Sequence, residues 1–363
     1  MAARVLFLLE DLCYGGTQAQ TLELAARLDR AKFSPHILTL TGPTDLDSRA
    51  QAAGIPVTHM ASGRQVAPFF FLKLGRALAA HNPDIIVPCT ALPNIWGRIW
   101  GKLKRGPIVV GTCRGGGAPG RQHEKWLWRL CDGIICNSRP LVRMLKNAGV
   151  PDAVLTYIPN GVDMQRFRPS RKKFGCEAAL IVCVARLAKD KNHKTLLRAF
   201  DILAASYPEV RLRLVGEGPE EKVLRKFVER ELSPEAAGRV EFAGASARPE
   251  EHYAEADIFA LASDREGQPN AVLEAMSSAL PICATDAGAI PDMLSGVGLV
   301  SQPGDAQGLA DNLLTYIRAP RMAVHMGALA RAKVEAEYSY EVMTMAHEKL
   351  FLDLLQGWRK KNA

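Results

Sequence analysis

Residues 4–28, "RVLFLLEDLCYGGTQAQTLELAARL", change period at a pair of glycines. From Val5 to Leu9 the apolar residues run unbroken, as in a strand covered on both faces. Beyond Gly15 and Gly16 they recur at Ala19, Leu22 and Ala26, the spacing of an amphipathic helix. Strand, glycine turn and helix make one β-α unit. Two glycines at such a turn let the backbone approach a ligand, and the helix start offers oriented N–H donors to an anion. The turn lacks the G-x-G-x-x-G spacing of a dinucleotide site, and a plain structural turn is the competing reading.

The unit recurs along the chain. "SPHILTLTG" (34–42), "DIIVPCT" (84–90), "GPIVVGTCRGG" (106–116) and "DGIICNS" (132–138) are further apolar strands with polar ends. A second series follows in "ALIVCVAR" (179–186), "VRLRLVGEGP" (210–219), "RVEFAGA" (239–245), "ADIFALAS" (256–263) and "PICATD" (281–286). Helical patterns separate them, which implies parallel sheets covered on both faces. At 363 residues the chain exceeds what one core usually serves. The expected fold class is therefore α/β, with two doubly wound Rossmann-like domains facing across a cleft. The join at "YIPNGVDMQRFRPSRKKFG" (157–175) is rich in Pro, Arg and Lys, lacks periodicity and reads as a linker. The expected domains are residues 1–163 and 164–338, with a helix over 339–363 returning to the first. Ligands of such sheets bind beyond the C-terminal ends of the strands.

Composition is that of an ordinary globular protein, 48% hydrophobic and 23% charged. No apolar run reaches the ~18 residues of a membrane span and no secretory signal opens the chain, so a cytoplasmic protein is expected. Eight cysteines are scattered without a C-x-x-C pair, which points to buried thiols in a reducing compartment. Residues 1–163 hold 19 Lys and Arg against 11 Asp and Glu, whereas residues 164–363 hold 27 of each, so the net charge of +8 sits in the first half. "RIWGKLKRG" (98–106) and "RQHEKWLWRL" (121–130) mix basic residues with tryptophan. They read either as solvated helix faces or as peripheral contact with an anionic membrane at its inner face. No recognition module for nucleic acid accompanies the charge. "VAPFFFLKLGRALAA" (66–80) reads either as an interfacial helix or as one packed on the sheet.

Two further stretches carry chemistry. "VARLAKDKNH" (184–193) puts Arg186 at a strand end and Lys191 just before a helix, a fork of donors and a point charge able to neutralise a diphosphate. Scattered surface charge is the alternative. "SDREGQPNAVLEAMSSALPICATDAGAIP" (263–291) puts Glu266 in a polar loop and Glu274 on a helix starting near Asn270. Glu274 lies among Val272, Leu273, Ala275 and Met276, where a charge is costly unless compensated. Glu274 lies a turn into that helix and beyond reach of the atoms beside Glu266, so the two carboxylates are expected to meet different parts of one elongated ligand. Vicinal hydroxyls, as on a ribose, suit a carboxylate acceptor. A capping loop followed by an exposed helical Glu is the bland reading.

Taken in order, these pieces resemble the retaining GT-B glycosyltransferases of family 4, the group 1 type. The likeness runs nearly end to end: "GGTQ" (15–18), "IPNGVD" (158–163), "ARLAKDKN" (185–192), "LVGEGP" (214–219) and the Glu-seven-residues-Glu spacing of Glu266 and Glu274. It implies that Arg186 and Lys191 bind the donor diphosphate and that Glu266, with Gly267, Gln268, Pro269, Asn270 and Ala271, contacts the donor sugar. Glu274 would hold the ribose hydroxyls, Gly15 and Gly16 would close over the phosphates, and the loop at Gly244 would lie near the base. Members often carry a histidine at the end of the strand that here reads "VVGTCRGGG" (109–117), with Cys113 and Arg114 in its place. Arg114 is thereby assigned to the acceptor side, as a donor to a sugar hydroxyl or phosphate and not as a base.

The resemblance further implies a metal-independent hexosyltransferase that retains anomeric configuration and needs no cofactor. Its partners would be a nucleoside-diphosphate sugar, a UDP-sugar first of all, and a glycan or lipid-linked acceptor in polysaccharide or lipopolysaccharide synthesis. An Asp-x-Asp does occur, "DLD" (45–47), but in a turn where Asp favours capping, and no metal is assigned to it. Arg186 and Lys191 both lie on loops, so replacing either is expected to leave folding nearly unaffected. A nucleotide-sugar epimerase of the same fold and a non-catalytic nucleotide-sugar-binding module are the competing functions. The spacing of the two glutamates opposes the first, and the joint presence of all four charged residues opposes the second. A nicotinamide dehydrogenase is disfavoured, because "GEGPEE" (216–221) lacks the third fingerprint glycine.

Overall fold

The computed structural model describes residues 1–60, 68–103, 106–115, 124–170 and 179–362. They divide into two units, Met1–Asn160 with Tyr340–Ala363, and Gly161–Ser339.

The first unit is built on seven strands: β1 (Ala3–Leu9), β2 (Phe33–Thr39), β3 (Val57–His59), β4 (Ile85–Pro88), β5 (Ile108–Cys113), β6 (Gly133–Cys136) and β7 (Leu155–Tyr157). All pair in parallel in the order β3-β2-β1-β4-β5-β6-β7. The order reverses between β1 and β4, which creates a topological switch point at their C-terminal ends. Alternation along β1 explains its unbroken apolar run. Val5, Phe7 and Leu9 pack with Leu22, Leu24 and Ala25 of the helix Gly16–Arg27, while Leu6 and Leu8 pack with Phe70, Leu74 and Leu78 of the helix Pro68–His81. The side of that second helix bearing Phe70, Leu74 and Leu78 thus covers the sheet, while Leu72 is exposed. Residues 66 and 67 of the stretch fall outside the described ones, as do 104, 105 and 121–123 of the basic, tryptophan-bearing stretches. The helix Tyr340–Asn362 contributes Tyr340, Met343, Phe351 and Leu355 to the same core as β1, and Phe351 meets Phe33 edge-on at 5.9 Å.

The second unit holds six parallel strands: β8 (Leu180–Val184), β9 (Arg211–Val215), β10 (Val240–Gly244), β11 (Ile258–Leu261), β12 (Ile282–Thr285) and β13 (Leu299–Ser301). Their order is β10-β9-β8-β11-β12-β13, so a second switch point lies between β8 and β11. The helix after β8, His193–Ala204, buries Leu196, Leu197, Phe200 and Leu203 completely. Each such side chain contributes on the order of 2 kcal/mol of transfer free energy.

The stretch 157–175 holds the division between the units, at Asn160 and Gly161, but its described residues after Asn160 pack on the second unit. Val162 N–H donates to the Tyr338 carbonyl at 2.9 Å, and Phe167 is buried with its ring edge-on to Tyr253 at 5.6 Å. Val162, Met164 and Phe167 join the second core as isolated side chains, each with a partner from a different element, and so leave no periodic trace. Residues 171–178, Cys176 among them, lie outside the described set. Among the described residues the cysteines are free thiols, and no helix is long and apolar enough to cross a membrane.

Candidate active site

The switch point of the second unit gathers the charged residues singled out in the sequence. After β8 the chain makes a short 3-10 turn, Lys189–Lys191, and then Asn192 enters the left-handed region at φ 43°. The Asn192 side chain has two tasks. Its Oδ1 accepts from Thr195 N–H, capping the following helix, and its Nδ2 donates to Asp264 Oδ1 at 2.8 Å. Asp264 N–H donates in turn to the Asp190 carbonyl at 2.9 Å. The loops after β8 and β11 are thereby clipped together.

This clip brings Lys191 Nζ to 2.5 Å from Glu266 Oε1, and Ser263 Oγ donates to the same oxygen at 2.7 Å. The Lys191 and Glu266 side chains are only 20% and 8% exposed. The pair is an ammonium and a carboxylate held at one place with little water, able to meet a polyhydroxylated, anionic ligand from two sides. Arg186 is different. It sits on the same loop but is 68% exposed, with Nη2 at 3.8 Å from Asp190 Oδ1. His193, next to Lys191, is buried, and burial followed by the Lys191 charge pushes it down to about 4, so it is neutral near pH 7.

The Glu266 loop is held from outside. Gly267 carbonyl accepts from Ala289 N–H at 2.8 Å, and Gly288 adopts φ +58° directly against it. A Cβ on Gly288 would stand 2.1 Å from the Glu266 carbonyl oxygen. Gly216 plays the same part on the other side at φ +137°, where a Cβ would fall 2.1 Å from the Ala185 carbonyl oxygen. Its N–H donates to the Gly244 carbonyl at 2.7 Å, so the loops after β8, β9 and β10 nest at one edge. Gln268 is buried in this wall, and the helix Asn270–Ser277 opens directly behind Pro269.

Glu274 lies a turn into that helix and has its own partners. Tyr253 Oη donates to Glu274 Oε2 at 2.8 Å and lies 3.2 Å from the Ala271 carbonyl. Burial holds the Glu274 carboxyl above its ordinary range, against the opposing Tyr253 hydrogen bond and the Arg166 charge. Arg166 is itself fixed by Glu250, with Nε donating at 2.8 Å. Glu266 and Glu274 therefore face different donors, as two separate acceptors along one edge.

In the first unit, Gly15 is extended at φ −166° and leads into the helix that follows β1, and the Asp11 carboxylate accepts from Cys13 N–H at 3.1 Å and from Gln18 Nε2 at 3.0 Å. Arg114 follows β5. The Asp-x-Asp residues are both occupied: Asp45 accepts from Tyr14 N–H at 3.1 Å, and Asp47 binds His59 at 2.8 Å. Among the described residues no group of three His, Cys, Asp or Glu side chains is placed to hold a metal.

Sequence reasoning missed Tyr253, Ser263, Asn192 and Arg166. Tyr253 reads as one more core aromatic in "EHYAEADIFALAS", and Arg166 as one of several basic residues in an aperiodic stretch. Only the Asn before the helix carried a local signal, that of an N-cap.

Comparison with known proteins gives the family and the fold. The model described as Glycosyltransferase Family 4 matches residues 14–166, and that of Glycosyl transferases group 1 matches residues 178–319. The chain is 28% identical over 361 residues to a GDP-mannose-dependent alpha-(1-6)-phosphatidylinositol monomannoside mannosyltransferase of Mycobacterium tuberculosis, covering 91% of this chain and 92% of that enzyme. It is 28% identical over 302 residues to a GDP-mannose-dependent monoacylated alpha-(1-6)-phosphatidylinositol monomannoside mannosyltransferase of Corynebacterium glutamicum, covering 73% and 77%. Among solved structures, Anabaena HepE in complex with UDP superposes with a TM-score of 0.81 at 21% identity, over 96% of this chain and 100% of that one. Sucrose-phosphate synthase of Thermosynechococcus elongatus gives 0.82 at 19% identity, over 98% and 100%. These two likenesses carry the fold, GT-B: the repeating β-α pattern implies two doubly wound domains, and their GT-B kind is what the family resemblance implies.

Proposed function

The chain belongs to the group 1 glycosyltransferases of family 4, and on that premise we propose that it moves a hexose from a nucleoside-diphosphate sugar to an acceptor hydroxyl. The acceptor is a glycan or a lipid-linked molecule of cell-surface polysaccharide or glycolipid synthesis, met by a peripheral enzyme at the inner face of the membrane. The observation that carries this reading is the pairing of Lys191 with Glu266 at 2.5 Å on the two loops of one switch point.

Breaking the sugar–phosphate bond builds positive charge on the ring and negative charge on the leaving diphosphate. Lys191 and Arg186 oppose the second charge, and such preorganised stabilisation is usually the largest catalytic term. Glu266 accepts from hydroxyls of the transferred sugar, positioned by Ser263 and by the wall of residues from Gly267 to Ala271. Glu274 accepts from the ribose and is oriented by Tyr253, while the Gly244 loop borders the base. Gly15 and Gly16 let the first domain approach the phosphates. Anomeric configuration is retained by front-side attack, with the leaving phosphate assisting deprotonation of the acceptor, and no covalent nucleophile is assigned.

The names of the mannosyltransferase relatives favour GDP-mannose as donor, whereas the sequence reading began from UDP sugars. A melting-temperature screen of GDP, UDP and their hexoses decides between them, because a ligand that binds only the folded state raises its stability. No stabilisation by any of these would sink the reading. With the donor so found, transfer is expected to persist in EDTA, since Lys191 and Arg186 occupy the role a metal plays elsewhere. Loss of activity in EDTA, restored by Mg²⁺ or Mn²⁺, would overturn metal independence. Nucleoside diphosphate released in step with acceptor glycosylation separates transfer from epimerisation.

Glu274 adds a pH dependence. It accepts hydroxyls well only when ionised, and its carboxyl is held above the ordinary range by burial. Donor affinity is therefore expected to fall on acidification, starting at a higher pH than a solvated carboxylate would give. Tyr253→Phe removes the hydrogen bond that favours the ionised form. It should move this acid limb further up and weaken binding by about fivefold, the worth of ~1 kcal/mol. Calorimetric titration across pH checks it, with a flat profile expected for Glu274→Gln.

A further inference from the structure

Arg114, at the C-terminal end of β5, faces no carboxylate among the described residues. Its side chain is half-buried, Nη1 donates to Asn160 Oδ1 at 3.3 Å, and Nε is buried without a partner. Several other arginines are answered by an acid, as Arg4 is by Asp84 at 3.2 Å and Arg166 by Glu250 at 2.7 Å. Among the described residues its neighbours include the Asn160 amide, the Cys89 thiol and the His347 ring. Burial acts on it first, and the one ionisable group opposing that effect is the buried Cys89, whose thiol is itself pushed up by burial. His347 is driven down to about 3 by burial and then by the Arg114 charge, so it is neutral and brings no compensation. A guanidinium does not deprotonate to escape such a setting. Among the described residues no carboxylate offsets the desolvation cost of the charge.

The neighbours are equally incomplete. Asn137 Nδ2 shares the Asn160 Oδ1 acceptor at 3.4 Å, which leaves Asn137 Oδ1 buried with no partner, and His347 Nε2 is also buried without one. Orphan buried polar atoms are rare in folded proteins, and each asks for an explanation. These stand at the C-terminal ends of β5 and β6 and on the helix packed beside them, the edge where doubly wound sheets take ligands.

We propose that Arg114 forms an anion subsite for the acceptor, taking a phosphate-ester group, with Asn137 Oδ1 accepting from a hydroxyl next to that phosphate. The inference rests on the transferase reading and gives its acceptor a chemical class. The planar fork of a guanidinium matches two phosphate oxygens, and a ligand anion supplies the counter-charge the fold withholds.

The test uses the full chain in saturating GDP and UDP, at constant ionic strength, with the melting temperature read against added inorganic phosphate and, separately, dimethyl phosphate. Phosphate should raise the wild-type melting temperature by about 2 °C or more. Arg114→Gln should lose that response while melting higher than wild type in anion-poor buffer, because the uncompensated charge is gone. Arg114→Lys should keep part of the response, and Lys191→Ala all of it, which places the phosphate outside the donor site. A response confined to inorganic phosphate marks a monoester, and one shared with dimethyl phosphate marks a diester of the lipid-headgroup kind. An equal response in wild type and Arg114→Gln, or none in wild type, overturns the subsite. So does a lower melting temperature of Arg114→Gln in anion-poor buffer, which would make Arg114 a structural brace. The GDP and UDP arms, read without phosphate, report separately on the transferase reading.

Discussion

Lys191→Ala is expected to cut turnover by roughly 100-fold or more, the scale of losing one preorganised donor to a developing charge. Its charged and imidazole neighbours Arg186 and His193 do not substitute for it. Arg186 is 68% exposed and turned toward Asp190, and His193 is neutral. The same variant should also lose stability, contrary to what its loop position implies in the sequence. With Lys191 gone, Glu266 keeps only the Ser263 hydroxyl in a setting that leaves it 8% exposed. The cost is on the order of 2 kcal/mol, less than the ~3–5 of a fully buried pair because Lys191 retains some contact with water. Adding Glu266→Gln to Lys191→Ala should recover most of that stability and none of the activity. Arg186→Ala should lower turnover without moving the denaturation midpoint. Steady-state kinetics with urea titrations separate these effects, and near-normal turnover of Lys191→Ala would end the diphosphate assignment.

Gly288→Ala should be almost as damaging, although Gly288 carries no chemistry. At φ +58° a non-glycine residue costs about 1–3 kcal/mol of backbone strain. The added Cβ would also stand 2.1 Å from the Glu266 carbonyl oxygen, and backbone cannot yield as a side chain can. Relief requires the Glu266 loop to move, at a further ~1–3 kcal/mol typical of overpacking. The expected result is a loss on the order of 3 kcal/mol together with a fall in turnover, because Glu266 leaves the position set by Lys191 and Ser263. Gly304→Ala is the control, with a similar φ of +80° but nothing within 4 Å of the new Cβ. Equal midpoints and kcat for the two variants would show that crowding at Glu266 is not what Gly288 prevents.

Much of this molecule is legible without coordinates. Central strands such as β8 and β11 are unbroken apolar runs because helices cover both faces of their sheet, and the long helices carry a 3.6-residue apolar rhythm because only one face is covered. Those are local signals, and they suffice for the β-α repeats, the two parallel sheets and the position of the charged loops at strand ends. The three-residue edge strands β3, β7 and β13 escape such a reading, since their residues are mostly half-buried and lack either pattern. So does the stretch from Val162 to Phe167, whose apolar residues answer to a distant chain segment around Tyr338.

The sequence alone therefore determined the fold class and which residue types stand at the strand ends, because burial repeats with the period of the element that causes it. Which of those residues meet was decided by tertiary structure. Lys191 and Glu266 are 75 positions apart, Tyr253 and Glu274 are 21 apart, and Arg114 reaches Asn160 across 46. Hydrogen bonds and ion pairs act over about 3 Å and leave no periodic mark on the chain. Their partners are fixed only when the strand order brings two loops to one switch point, and whether a charge there is answered or left bare depends on that meeting.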